Sequence, residues 1–142
     1  MPATPTSRRR TRAFARVLGP FLAVIAGLVA VRASEMDVLL VAFFANAALA
    51  WVTGAIILFI GIFIIANHQI WSSAAAVVIS LFGWVLVLRG LALLVVPHLI
   101  AEVGAAAVVA TPWVRLGAGV MAAVGLWLSY VGWIAGSRRT RI

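Results

Sequence analysis

The chain has no cysteine, and all eleven of its basic residues are arginine, so lysine is missing as well. Without cysteine there is no disulfide, no thiol nucleophile and no thiolate metal site. Acids are scarce too: Glu35, Asp37 and Glu102 are the only three. General acid–base or metal chemistry needs several titratable groups converging on one point, and so short a supply argues against an enzyme. Charged residues make up 10% of the chain, against about 25% in soluble domains. Water is therefore not the solvent for most of this surface.

What fills the 142 residues instead is apolar sequence, 65% of the total. It falls into four long runs near Phe14–Val31, Val38–Ala66, Ser72–Val96 and Ala105–Ala135. A hydrocarbon core about 30 Å thick is crossed by roughly 20 residues of helix at about 1.5 Å each, and each run reaches or approaches that length. The expected fold is all-α: a polytopic membrane protein folded as an antiparallel bundle of four transmembrane helices. It occupies residues 14–136, between basic tails at 1–13 and 137–142.

Charge placement orients the expected bundle. The first tail and its continuation carry Arg8, Arg9, Arg10, Arg12 and Arg16, and the last tail carries Arg138, Arg139 and Arg141. Arginine near a span favours the cytoplasmic side, which places both ends there and requires an even number of spans. The loops Arg32–Asp37 and Pro97–Pro112, which hold all three acids, then face outward, and Asn67–Trp71 faces inward. The expected setting is a bacterial inner membrane, with anionic headgroups as partners of the terminal arginines and no nucleic acid. A rival reading takes Arg8–Arg10, the run Phe14–Val31 and the triplet Val31-Arg32-Ala33 as a signal peptide with its cleavage site, leaving three spans.

Lipid tails are as apolar as leucine, so helices inside a bilayer associate through close packing and a few polar groups. Gly54 and Gly61, Gly83 and Gly90, and Gly125 and Gly132 each lie seven residues apart. That is close to two helical turns, which puts each pair on one face and marks three packing grooves. Beyond this spacing the two halves of the chain do not align as an internal repeat. Trp71, Trp113 and Trp133 suit the headgroup region. Trp51 and Trp84 fall deeper, where an indole N–H needs an acceptor.

Arg89 interrupts an otherwise apolar stretch, and a guanidinium in the membrane costs several kcal/mol unless it is paired or reaches the interface. Asp37 is its expected partner. An anionic lipid headgroup or substrate at Arg89 is the functional alternative. Asn67, His68 and Trp71 form an expected interface turn in which Asn67 and His68 cap helix carbonyls. With His98 on the opposite side, His68 lacks a second imidazole for a cofactor, and none is expected. Glu35, Asp37, His98 and Glu102 could meet as a metal site at the outer rim, but solvated loop positions explain them more simply. Asn46 and Thr53 read as interhelical hydrogen bonds, and Ser129 and Tyr130 as interface residues.

Within Gly54–Pro97, the residues Gly61, Asn67-His68-Gln69-Ile70-Trp71, Gly83-Trp84, Arg89-Gly90 and Pro97 resemble those of small four-helix bacterial integral membrane proteins to which no reaction is assigned. The resemblance implies an inner-membrane four-helix protein and supplies no chemistry. A structural or accessory membrane protein, associating with itself or with a larger complex, is the expected function. The rival is a small oligomeric transporter or channel with an outer, Arg89-lined vestibule.

Overall fold

A computed structural model describes residues 5–109 and 111–134. Helix accounts for nearly all of them, in six segments: α1 (Pro5–Val31), α2 (Met36–Ala45), α3 (Ala47–Asn67), α4 (Ala74–Val95), α5 (Pro97–Val109) and α6 (Thr111–Trp133), with one 3₁₀ turn at Ala33–Glu35. Four of them are long and apolar enough to cross a membrane: α1, α3, α4 and the Pro112–Trp133 part of α6. Arg138, Arg139 and Arg141 lie outside the described residues.

The helix boundaries depart from the four apolar runs in three places. Read as one helix, Val38–Ala66 would be about 43 Å long, well over the roughly 30 Å of hydrocarbon it has to cross. The chain breaks at Asn46 instead, which takes an extended conformation at φ −109°, ψ 95°, and its side-chain oxygen accepts the Leu49 N–H at 3.0 Å as the N-cap of α3. Asn46 thus serves its own backbone and not a neighbouring helix. On the other side of the bundle, Val96 breaks the chain after α4 and Pro97 opens α5, where its missing N–H is harmless. The span expected from Ala105 accordingly begins only at the start of α6, and α5 takes up Pro97–Val109. Finally, α1 begins at Pro5, so residues 5–13 of the basic tail belong to the first helix.

Two helix pairs carry the packing. In the first, Gly61 lies against Val87 and the Gly83 carbonyl, and Gly54 lies against Leu94 and the Gly90 carbonyl. Rising numbers on α3 meet falling numbers on α4, so the two helices run in opposite directions. In the second, Gly125 meets Ala23 and the Gly19 carbonyl, Gly132 meets Ala15 and Arg16, and Gly19 meets Ser129. All six paired glycines therefore sit at helix–helix contacts, close enough that backbone touches backbone. The partner of Gly125 and Gly132 is α1, whose own contribution, Gly19, has no spaced companion to betray it.

Most of the large apolar side chains lie on the outside, unlike those of a soluble protein. Among the fully buried side chains, small and polar residues such as Ser80 and His68 stand beside Ile79 and Leu128, while Phe59 and Trp113 are 69% and 71% exposed. Large aromatic and aliphatic side chains cover the outside of every long helix. A contiguous apolar exterior of this extent has no place in water; it matches a hydrocarbon solvent. Trp51 and Trp84 belong to this exterior and make no hydrogen bond among the described residues. The short helices α2 and α5 contact each other where α3 begins and α4 ends.

Candidate functional site: an apolar cavity with one cation, and a buried histidine node

Two places in the fold bring polar side chains into an apolar setting. The first is a cavity of about 630 Å³ lined from all six helices. Its walls are Leu39, Leu40 and Phe43 of α2, Leu93 of α4, Ile100 and Val103 of α5, and neighbours of the same kind. Thr53 of α3 and Arg89 of α4 are the polar side chains among them. The space exists because α2 and α5 continue α3 and α4 through the breaks at Asn46 and Val96, and the chain turns aside there.

Arg89 is exposed to this cavity and makes no ion pair or hydrogen bond among the described residues. The structure does not bring it to Asp37. Asp37 instead accepts the N–H of Val38 at 2.8 Å, at the first turn of α2, where a carboxylate suits the helix dipole. The ion pair seen among the described residues is local, Arg32 to Glu35 at 2.6 Å, and both side chains are about half exposed. Sequence distance explains the local pair, since Glu35 lies three residues from Arg32, while Asp37 is not among the residues lining the cavity that holds Arg89. No three His, Asp or Glu side chains come together among the described residues, so Glu35, Asp37, His98 and Glu102 do not converge.

The second place is His68. Its backbone N–H closes α3 by donating to the Ile64 carbonyl at 2.7 Å, beside Asn67, whose side chain donates to the Phe63 carbonyl at 2.8 Å, while its ring is wholly buried and turns away from the helix end. The imidazole reaches sideways between α1 and α4. Nε2 lies 3.1 Å from Thr11 Oγ1 and Nδ1 lies 3.2 Å from Ser80 Oγ, and Phe14 stacks edge-on at 5.3 Å between ring centres. Thr11 Oγ1 is within 3.0 Å of the Ser7 carbonyl, and Ser80 Oγ within 3.0 Å and 3.1 Å of the carbonyls of His68 and Ile70. Each hydroxyl has one proton to give: with Thr11 donating to Ser7, Nε2–H donates to Thr11 and Ser80 donates to Nδ1; with Ser80 donating to a carbonyl, Nδ1–H donates to Ser80 and Nε2 accepts from Thr11. Burial pushes the imidazole below its ordinary value, partly offset by a backbone hydrogen bond.

The node ties three segments of the chain at one level: the first turns of α1, the turn after α3 and the first half of α4. Next to it, Arg8 and Arg12 line a cavity of about 260 Å³ together with Thr11, Ser72 and Ser73. Arg16 donates through Nε to the Gly132 carbonyl at 2.8 Å and stands 5.4 Å from the Trp133 ring centre, closing the end of α6 against α1. Trp71, on the same turn as His68, is exposed, and Ser129 bonds back to the Gly125 carbonyl at 2.9 Å. The hydroxyls of Thr11 and Ser80 escape a reading of the sequence, although Ser80 is, with Arg89, one of only two polar side chains inside α4.

The chain defines a membrane-type helical protein by composition and shape. Comparison with protein-family models, with curated proteins and with solved structures finds no match.

Proposed function

We propose that this is an integral protein of a bacterial cytoplasmic membrane, an antiparallel four-span bundle with both termini in the cytoplasm, acting as a structural or accessory subunit and not as a catalyst. The observation that carries the reading is the division of labour on its surface. The glycine contacts and the His68 node are turned inward and hold the chain together, while the outward faces of the long helices carry large apolar side chains, free for lipid or for neighbouring helices. The contacts of Gly19 and Thr11 favour a retained first span over a cleaved leader, because removing α1 would strip α6 and His68 of their partners. The arginines beside Ser72 and Ser73 suit anionic headgroups at the inner surface.

The chain's mass is 15.0 kDa, and affinity capture in mild detergent followed by native mass spectrometry tests the reading. The expected result is an assembly, either a multiple of that mass or a complex with another membrane protein. A bare monomer at every concentration, with nothing else captured, would contradict it.

One observation favours a second reading, a small oligomeric transporter or channel: Arg89 lines a cavity at the end of the bundle that this topology places outside. A ring of such cations could select anions. Four spans rarely enclose a water path alone, so this reading also requires assembly, and anion flux in liposomes separates it from the first.

A further inference from the structure

We propose that the cavity between α2, α3, α4 and α5 is a binding site for a single-chain anionic amphiphile, a molecule with one carboxylate or phosphate head and an acyl-type body. The inference rests on the membrane-spanning reading but on nothing said there about partners.

Charge carries the first half. Arg89 is a permanent cation in the wall of a cavity whose other side chains are apolar apart from Thr53. Glu35 is engaged by Arg32, Asp37 is engaged at the start of α2, and Glu102, 13 residues after Arg89, makes no ion pair with it among the described residues. No acid lines the cavity. A guanidinium in a membrane setting is stable when paired, and among the described residues none supplies an anion to it. The planar donor fork of arginine fits a carboxylate or phosphate through two parallel hydrogen bonds, and Thr53 offers one hydroxyl on the same wall.

Shape and lining carry the second half. A cavity of about 630 Å³ is far larger than a small inorganic anion needs and is of the size that ligand sites occupy, roughly 300–1,000 Å³ with mostly apolar walls and few placed polar groups. Leu39, Leu40, Phe43, Ile100 and Val103 would exclude water around a small ion and leave it badly solvated. They suit a hydrocarbon body. Gly104, against which Leu40 packs at 3.1 Å from the position a Cβ would take, lets α5 come close to α2 and closes the apolar side.

The test uses the full-length chain in detergent, read by native mass spectrometry with three probes: oleate, oleyl alcohol and acetate. The expected result is one oleate per protomer, bound at least about tenfold more tightly than the alcohol, as befits one charge-assisted hydrogen-bonded contact, with acetate not competing. Arg89→Gln should bring oleate down to the level of the alcohol, and Arg89→Lys should keep part of the preference because the charge stays while the fork is lost. Ala107→Trp, which fills the cavity from α5, should abolish binding of both long-chain probes. Should Arg89→Gln not fold, the comparison of probes on the unaltered chain and the filling variant still decide. Equal binding of oleate and oleyl alcohol, no oleate binding, or competition by acetate would each overturn the proposal, and none of these bears on the topology.

Discussion

Replacing Gly125 or Gly90 by leucine should prevent the protein from accumulating in folded form. A single Cβ at Gly90 would stand 2.5 Å from the Leu58 nitrogen and 2.9 Å from the Gly54 carbonyl, and one at Gly125 would run into the backbone of Ala23 and the carbonyl of Gly19. These obstacles are backbone atoms, which no rotamer change can move aside, so the helices must separate along their length. Overpacking typically costs about 1–3 kcal/mol, and loss of the whole interface places this case at or above the top of that range. Gly27, Gly117 and Gly119 supply the control, since a Cβ there meets nothing within 4 Å. Alanine at those positions should leave folding unchanged or slightly improve it, because alanine favours helix over glycine. The measurement is the yield of monodisperse protein in mild detergent and its unfolding in a denaturing one. Equal tolerance of leucine at Gly125 and alanine at Gly117 would show that the glycine contacts do not hold the bundle.

Replacing His68 by alanine should be the next most damaging change. It empties a fully buried site at the meeting of α1, α3 and α4 and removes two hydrogen bonds, a combined effect of about 2–4 kcal/mol. Thr11→Val in the same background should add less than it does alone, because the two residues share one contact. Gln69→Ala, at an exposed neighbour, should have no effect. Stability should also depend on pH through His68. Its folded value lies below the ordinary 6.5 because burial disfavours the imidazolium, so the unfolded chain takes up a proton first. Stability is then level above about pH 6.5 and falls as the pH drops below it. No carboxylate pairs with the ring among the described residues. Detergent unfolding measured from pH 8 to pH 5 should show the fall in the unaltered chain and not in the alanine variant; identical curves would remove His68 as the cause.

The helical class and the number of long apolar segments could be read from the residues, because length and hydropathy suffice when lipid is the solvent. The glycine pairs could be read as well, since close approach in a membrane leaves a period in the sequence. Three features could not. Asn46 divides an apolar run without any change of hydropathy around it, so the break between α2 and α3 shows only in the backbone. Gly19 packs as tightly as the paired glycines but stands alone on its face. His68 does close α3 through its backbone N–H to the Ile64 carbonyl, but the burial of its ring comes from contact with Thr11, 57 residues away, and Ser80, 12 residues away, which local sequence does not show. Arg89 and Asp37 show the converse: complementary charges on neighbouring segments suggest a pair, yet Asp37 bonds to the start of its own helix and Glu35 to Arg32.

The central claim is that the four long helices cross the bilayer and leave both ends of the chain on the cytoplasmic side. Paired fusions test it most directly, with a reporter active only in the cytoplasm and another active only in the periplasm attached in turn to the N-terminus, the C-terminus and the segment between Val31 and Met36. The expected result is cytoplasmic activity at both termini and periplasmic activity at the internal site. Termini on opposite sides, or either terminus active in the periplasm, would contradict it.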